Sequence, residues 1–440
     1  MTEIKELLKH DGAICPHCGR RHSGLLKDLI ISDGAVKMLP GLLEKYGVRK
    51  PYIIFDEDTE MAAGEYVLGI LDGAGIGYSR HTVRRKHPAP DELLVGEVLM
   101  YCPAGADCII AVGSGVLNDT GKILASQKHI PGVIVATAPS MDGFASASSA
   151  MERTGLKISI DSKCPEIIIG DLSLLKHSPA HMIQSGIGDM LAKFISLREW
   201  KISALVNGEY YCPLIADLVA ESLQRCVDVA ERAVNKDPDA LKALMEGLVL
   251  SGIAMNYAEM SRPVSGMEHY VSHIIDMRHL EFGTPWDLHG IQCGISALKS
   301  VRLYEKFRSV RPDPDAAEKA ASAFDYSDWS TEMRNFLGKS AGILIENERT
   351  EKKYDPCPRR KRVATIIEKW GDILKIIDEL PDSGELERFM KKIGHPTDFS
   401  EIGISPEEEK KAFLMTKDIR NKYVLSSMLW DLGMTQLILE

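Results

Sequence analysis

Four short β-branched runs divide roughly the first 175 residues, and each is apolar along its length rather than at alternate positions, as expected for parallel strands covered on both faces. They are Pro51-Tyr52-Ile53-Ile54-Phe55, Asp107-Cys108-Ile109-Ile110-Ala111-Val112, Gly132-Val133-Ile134-Val135-Ala136-Thr137 and Glu166-Ile167-Ile168-Ile169-Gly170. The stretches between them are helical in pattern and punctuated by Gly. This alternation predicts a parallel α/β sheet.

Past Ser178-Pro179 the texture changes. Ser, Asp or Asn caps precede long segments with apolar residues every three or four positions, and β-branched runs become scarce. Ala240 to Ala254 and Thr365 to Leu380 read as amphipathic helices. Ser405-Pro406-Glu407-Glu408-Glu409 is a helix start, with a cap, a Pro in the first turn and acids facing the dipole. The pattern predicts an α/β Rossmann-like nucleotide-binding domain over residues 1–177, followed by an all-α domain over 178–440 with a helical extension from about 339. No internal repeat or low-complexity tract interrupts it.

A chain of 440 residues exceeds one ordinary core and fits two domains. Its apolar fraction of 45% and charged fraction of 26% are those of a folded globular protein. A formal net charge of -10 argues against a surface that neutralises phosphodiesters, so nucleic acid is not an expected partner. The basic runs Arg84-Arg85-Lys86 and Arg359-Arg360-Lys361-Arg362 read as solvated faces. No segment approaches the roughly 18 to 20 apolar residues of a membrane span, and the start Met1-Thr2-Glu3-Ile4-Lys5-Glu6 has no apolar signal core. A cytoplasmic protein is the expectation, and nine scattered cysteines point to reduced thiols.

Candidate chemistry begins where the run ending at Val112 enters Gly113-Ser114-Gly115-Val116-Leu117-Asn118-Asp119-Thr120-Gly121-Lys122, which turns helical. A Gly-rich turn at a helix mouth lets backbone N–H groups approach a pyrophosphate while the helix N-terminus favours its charge. Asn118 stands where the third Gly of a dinucleotide fingerprint belongs, so a tight turn without ligand is an equal reading on spacing alone. Asp56, at the end of an earlier strand, can accept hydrogen bonds from an adenosine ribose and repel a 2′-phosphate, which favours NADH over NADPH. Asp56-Glu57-Asp58 also reads as a plain acidic turn.

The helical half carries Gly186-Ile187-Gly188-Asp189-Met190-Leu191-Ala192-Lys193, then Ser261-Arg262-Pro263-Val264-Ser265-Gly266-Met267-Glu268-His269-Tyr270-Val271-Ser272-His273, then Leu288-His289-Gly290. Asp189, His269 and His289 offer one carboxylate and two imidazoles, a set that leaves a coordination position open, as a catalytic zinc site requires. His269 and His273 share a helix face, so one could bind metal while the other moves protons. Among thirteen histidines this spacing does not by itself separate a metal site from ordinary core or surface histidines.

With Thr137-Ala138-Pro139-Ser140-Met141-Asp142-Gly143-Phe144-Ala145-Ser146, these blocks stand in one order across roughly residues 25 to 300, and the chain resembles the sn-glycerol-1-phosphate dehydrogenase family. That family lies among the iron-containing alcohol dehydrogenases, glycerol dehydrogenases and dehydroquinate synthases, so the resemblance implies a dehydroquinate synthase-like architecture. It implies NAD(H) or NADP(H) contacts from Gly113, Ser114, Gly115, Val116, Leu117, Thr137, Ala138, Pro139, Ser140 and Ser146. It implies a metal on Asp189, His269 and His289, and substrate on Asp142, Asp189 and His273. The implied reaction is reversible reduction of dihydroxyacetone phosphate, with Asp142 and His273 as the catalytic pair. Zinc is the first choice of metal, and Ni²⁺ and Fe²⁺ suit the same ligands.

Three features leave room beside that reading. Cys15-Pro16-His17-Cys18-Gly19-Arg20-Arg21-His22 could form a zinc-knuckle-like N-terminus within residues 10–24, with His10 or His17 as a fourth ligand, or be a reduced Cys pair in a turn. Arg262, Lys193 and Arg278 are the candidate cations for a substrate phosphate. The helices past 339 fit completion of the helical domain or cover for a subunit interface in a homo-oligomer. The alternatives are an NAD-dependent glycerol or polyol dehydrogenase, and a non-redox cyclase-like or silent member of the same fold.

Overall fold

The computed structural model describes residues 12–24 and 26–440; His10 lies outside them. The chain forms two compact units, one holding residues up to Met190 together with Glu221–Met260, the other Leu191–Ala220 with Ser261–Glu440.

The first unit is built on six parallel strands: β1 (Asp28–Ser32), β2 (Pro51–Asp56), β3 (Ser79–Val83), β4 (Cys108–Gly113), β5 (Gly132–Ala136) and β8 (Ile167–Asp171). Their order in the sheet is β1-β8-β5-β4-β2-β3. The four inner strands, β8, β5, β4 and β2, are the four apolar runs of the sequence, and all but the last residue of β2 are buried. The edges are β1 and β3, with sequences Asp-Leu-Ile-Ile-Ser and Ser-Arg-His-Thr-Val; half-exposed positions dilute their apolar signal. An antiparallel hairpin, β6 (Ser148–Arg153) with β7 (Leu156–Asp161), turns at Thr154 and Gly155, both at positive φ (52° and 78°), which matches the twist of paired strands.

From β2 the chain moves outward to β3, and from β4 it moves the other way to β5. The sheet therefore has its switch point between β2 and β4, and the crevice at their carboxyl ends lies between Asp56 and Gly113, where doubly wound folds bind ligands. The helix after β4, α1 (Gly115–Lys128), lies so close to the sheet that a Cβ on Gly121 would sit 2.8 Å from the Ala111 methyl. Gly121 thus meets the close-packing need that Asn118 left open in the fingerprint.

Lys122 is fully buried on α1. Its ammonium donates to the carbonyls of Gly143 (3.0 Å) and Ser148 (2.6 Å) and to Ser146 Oγ (3.0 Å), and pairs with Asp119 Oδ1 at 3.0 Å. A buried cation needs such company.

The chain beyond residue 178 is helical, as the sequence predicts. The expected single helix over Thr365 to Leu380 is a correction: it is two helices, Pro356–Glu368 and Trp370–Ile377, with Lys369 between them at φ -97°, ψ 14°. The Lys369 amide still bonds back to Thr365 O (2.8 Å), but the chain then changes direction, and Trp370 packs edge-on to Phe307 at 5.1 Å. Gly371, a poor helix former, follows the bend. Among the described residues no helix is long and apolar enough to cross a membrane.

Lys122→Met removes the cation that pairs with the Asp119 carboxylate and binds the loop acceptors in a buried setting, and removing one partner of a buried pair typically costs about 3–5 kcal/mol. Denaturant unfolding of the variant is expected to show a loss in that range; a midpoint equal to the parent's would show that Lys122 does not hold the loop.

Candidate functional site

In the first unit the site is assembled by the loop after β5 and by helix α2 (Ala180–Leu191). Gly186 permits the contact: a Cβ there would lie 2.0 Å from Pro139 O, closer than any backbone tolerates. With the loop seated, Ser185 Oγ donates to Ser140 O (2.9 Å), and the Asp142 amide donates to Asp189 Oδ2 (2.9 Å). Ser251 Oγ donates to Asp142 Oδ2 (2.8 Å), from helix α3 (Pro238–Ala258). Two of the residues expected to touch substrate, Asp142 and Asp189, are therefore tied to each other, and Asp189 is fully buried.

The other side of this loop meets the nucleotide turn. Ser114 Oγ bonds Ser140 Oγ, and the Thr137 amide bonds Gly113 O at 3.2 Å. Gly113 is closed off, since a Cβ there would be 2.7 Å from the Leu117 side chain, whereas Gly115 has nothing nearer than Met141 at 3.8 Å. The open glycine stands at the first position of α1, where backbone amides lack helical partners. Asn118 is fully buried, and its Oδ1 has no hydrogen-bond partner. Open backbone amides at a helix mouth fit an anionic group such as a dinucleotide pyrophosphate, and the Asn118 oxygen, an acceptor, fits a donor such as a ribose hydroxyl.

Asp56 ends β2 as expected. Its Oδ1 accepts from the Thr59 amide (2.7 Å) while Thr59 Oγ1 accepts from the Asp56 amide (3.0 Å), a reciprocal cap that gives the acidic turn a structural job of its own.

In the second unit, His269 and His273 lie on α4 (Met267–Phe282) and His289 opens α5 (His289–Arg308). The rings of His269 and His289 are 5.0 Å apart, and those of His273 and His289 are 5.7 Å apart and stacked. His269 Nδ1 bonds Glu268 Oε1 at 2.9 Å, and His289 Nδ1 bonds Ser272 Oγ at 2.8 Å. Outer partners on Nδ1 fix ring orientation, which is how histidine ligands are commonly held.

Several contributors escaped the sequence reading. Cys293, one turn after His289, places its sulfur 3.5 Å from His289 Nε2. Burial pushes that thiol up, but His269 and His289 beside it outweigh burial and draw it below its ordinary range. The His-x-x-x-Cys spacing was a visible signal. Behind α4, buried Glu199 accepts the Met267 amide (2.8 Å) and the Leu425 amide (2.8 Å); burial, then Glu268, holds its carboxyl well above the usual range against the pull of Arg262. Gly266 has no space for a Cβ, which would lie 2.4 Å from Glu199 Oε2.

Two candidate phosphate cations have structural work. Arg262 is buried on Glu209 Oε2 (3.2 Å) and Tyr423 O (2.6 Å), and Arg278 bonds Glu408 Oε1 (2.6 Å) and stacks on Phe336. Lys193 is fully buried.

Comparison with known proteins matches this picture at two levels. Residues 30–179 match the family described as iron-containing alcohol dehydrogenase. Solved structures of the same fold include a probable glycerol dehydrogenase from Sinorhizobium meliloti 1021 (TM-score 0.61, 14% identity, covering 94% of this chain and 96% of that one). Another is a 1,3-propanediol oxidoreductase (TM-score 0.61, 15% identity, covering 95% and 100%). The fold is thus that of the iron-containing alcohol dehydrogenase class.

Among curated relatives, the glycerol-1-phosphate dehydrogenase [NAD(P)+] of Bacillus velezensis is 33% identical over 363 residues, covering 80% of this chain and 91% of that protein. The enzyme of the same name from Bacillus licheniformis is 29% identical over 427 residues, covering 96% and 93%. The chain belongs to the glycerol-1-phosphate dehydrogenase family.

Gly186→Ala forces the Pro139 carbonyl away from α2 and moves the Asp142 amide off Asp189. Misplacement by about 1 Å can cost about 10²-fold in rate. A fall of that order in turnover of a folded Gly186→Ala protein, followed by steady-state kinetics, is expected; parental turnover would mean that the loop contact does not govern the site.

Proposed function

We propose that the chain catalyses the reversible, NAD(P)H-linked reduction of dihydroxyacetone phosphate to sn-glycerol 1-phosphate, with Asp189, His269 and His289 as the ligands of one divalent cation. The observation that carries this reading is the pairing of the two imidazoles, with rings 5.0 Å apart and each Nδ1 engaged by an outer protein partner, Glu268 for His269 and Ser272 for His289. The sequence relationship to glycerol-1-phosphate dehydrogenases over most of the chain selects the substrate.

When bound, the cation supplies Lewis acidity at the substrate carbonyl, and the nicotinamide supplies the hydride. Zinc is the first candidate, ahead of Ni²⁺ and Fe²⁺. The chain's own groups do the rest. Gly113 to Leu117, Thr137 to Ser140 and Ser146 orient the cofactor, and Asp56 favours NADH. Asp142, fixed by Ser251, orients a substrate hydroxyl. As hydride reaches carbon, the carbonyl oxygen must gain a proton, and His273, or a water held by His273 and Asp142, delivers it; an imidazole titrating near neutrality suits that work.

A second reading, an uncharged polyol as substrate, is favoured by one observation: Arg262 and Arg278 are already committed to protein partners.

The deciding assay follows NADH oxidation by metal-loaded protein with dihydroxyacetone phosphate and dihydroxyacetone in parallel. A clear preference for the phosphorylated ketone is expected, and preference for the free ketone would reverse the substrate assignment. No turnover of either by protein that binds NADH would favour the cyclase-like or silent alternative. Chelator is expected to abolish turnover, with recovery on adding Zn²⁺. His273→Ala and Asp142→Ala are each expected to lower turnover by about 10²–10⁴-fold, the usual share of general acid–base catalysis; near-parental rates would remove the proton relay.

A further inference from the structure

Residues 12–22 form a small hairpin remote in sequence from the proposed catalytic residues. Ile14 bridges Arg21, the Cys15 amide donates to Arg20 O (2.8 Å), and the Gly19 amide donates to Cys15 O (2.9 Å). Gly19 has φ +72°, a left-handed position that a side chain would strain. The tight Cys15-x-x-Cys18-Gly19 turn puts both sulfurs on one side, and the returning strand brings His22 to them. The side-chain donor atoms of Cys15, Cys18 and His22 all lie within 4.8 Å of one another. Cys18 Sγ is 3.3 Å from His22 Nε2. A sulfur and a nitrogen sharing one tetrahedral zinc stand roughly 3.6 Å apart, from Zn–S and Zn–N bond lengths of about 2.3 and 2.05 Å.

The second, independent observation is the other side of the imidazole. His22 Nδ1 is 2.7 Å from the carbonyl oxygen of Tyr257. A carbonyl can only accept, so Nδ1 carries the proton and Nε2 presents its lone pair towards the sulfurs. This carbonyl-on-Nδ1 arrangement orients metal-binding histidines and raises their basicity. The ring also stacks on Tyr257 at 5.6 Å. A two-stranded hairpin this short is marginal by itself; Ile14 is 62% exposed, and the residues that the hairpin buries are Cys15 and His22.

We propose that Cys15, Cys18 and His22 bind a structural zinc ion, separate from the catalytic cation and held through two thiolates and one imidazole. Thiolate donors select zinc over Mg²⁺ and Ca²⁺. Binding requires both thiols to deprotonate, so uptake releases protons and weakens in acid. The fourth position belongs to solvent or to another side chain. The ion locks His22 onto the end of α3, and α3 carries the consequence inward: Asn256 Nδ2 donates to Gly24 O (3.0 Å) and Ala145 O (2.7 Å), while its Oδ1 accepts from the Ala147 amide (2.8 Å). The knuckle and the cofactor loop thus share one asparagine.

The test is metal content and sulfur coordination in the full chain. Cys15→Ser/Cys18→Ser is expected to hold one zinc equivalent fewer than the parent. His269→Ala/His289→Ala is expected to keep the thiolate-bound equivalent, which separates this site from the catalytic one. X-ray absorption at the zinc edge of that second variant should show at least two sulfur ligands. If Cys15→Ser/Cys18→Ser does not fold, alkylation of the parent with mass-spectrometric readout replaces it: Cys15 and Cys18 should resist labelling until a chelator is added. Equal zinc in parent and Cys15→Ser/Cys18→Ser, a zinc edge with nitrogen and oxygen ligands alone, or free labelling of both thiols in metal-loaded protein would each overturn the proposal.

Discussion

The hydrogen bond from the Asp142 amide to the Asp189 carboxylate holds two segments 47 residues apart at one point, and the first unit's chemistry follows from it. The bond requires the loop after β5 to lie directly on helix α2, and that contact exists because position 186 has no side chain. Once the loop is seated, its near end meets the nucleotide turn through Ser140 and Ser114, and its far end is gripped by Lys122. One backbone contact therefore couples the turn that would carry a dinucleotide to the carboxylate that would carry a metal. Most of its links are buried, hydrogen-bonded polar groups, which stiffens the coupling.

The second unit uses a different device for the same end. Its histidines are fixed by neighbours on the helices that carry them: Glu268 precedes His269, and Ser272 lies one turn further along α4 to meet His289. Behind them, Glu199 binds the amide that opens α4 and the amide that opens the helix Leu425–Asp431. The stretch past residue 339 is thereby joined to the histidine helix, through Arg278 and Glu408 as well. Burying two acids beside each other is costly unless backbone donors and a cation compensate, and Met267, Leu425 and Arg262 are those groups.

How much of this the sequence disclosed depended on how each element meets solvent. The four inner strands were legible because both faces are covered and every residue is apolar. The two edges were not, since Arg80 and His81 in β3 face partly outward. The helix expected across Thr365 to Leu380 failed because periodicity records which residues are buried and not whether the axis turns, and the turn at Lys369 keeps the spacing while redirecting Trp370. Residues proposed to donate chemistry stand out in the sequence by type, whereas residues that position their neighbours do not. Lys122 reads as a surface lysine until its ammonium is seen among two loop carbonyls and a serine hydroxyl, and Gly186 reads as one of many glycines. Arg262 and Arg278 show the converse: cations near the right motif, used for packing.

The histidines of the chain also differ in what stands against Nδ1, and that difference bears on which metals each group would take. His22 faces a neutral carbonyl and shares its space with two thiols, so its set is soft and, with both thiols ionised, brings two negative charges. His269 faces a carboxylate and His289 a hydroxyl, and the donor proposed to join them is an oxygen. Thiolates discriminate strongly among divalent ions, while an imidazole and carboxylate set accepts several first-row metals with affinities governed by geometry and supply. The two groups need not therefore carry the same ion. A soft thiolate set suits a metal that must stay, and a harder, open one suits a metal that must admit a substrate oxygen.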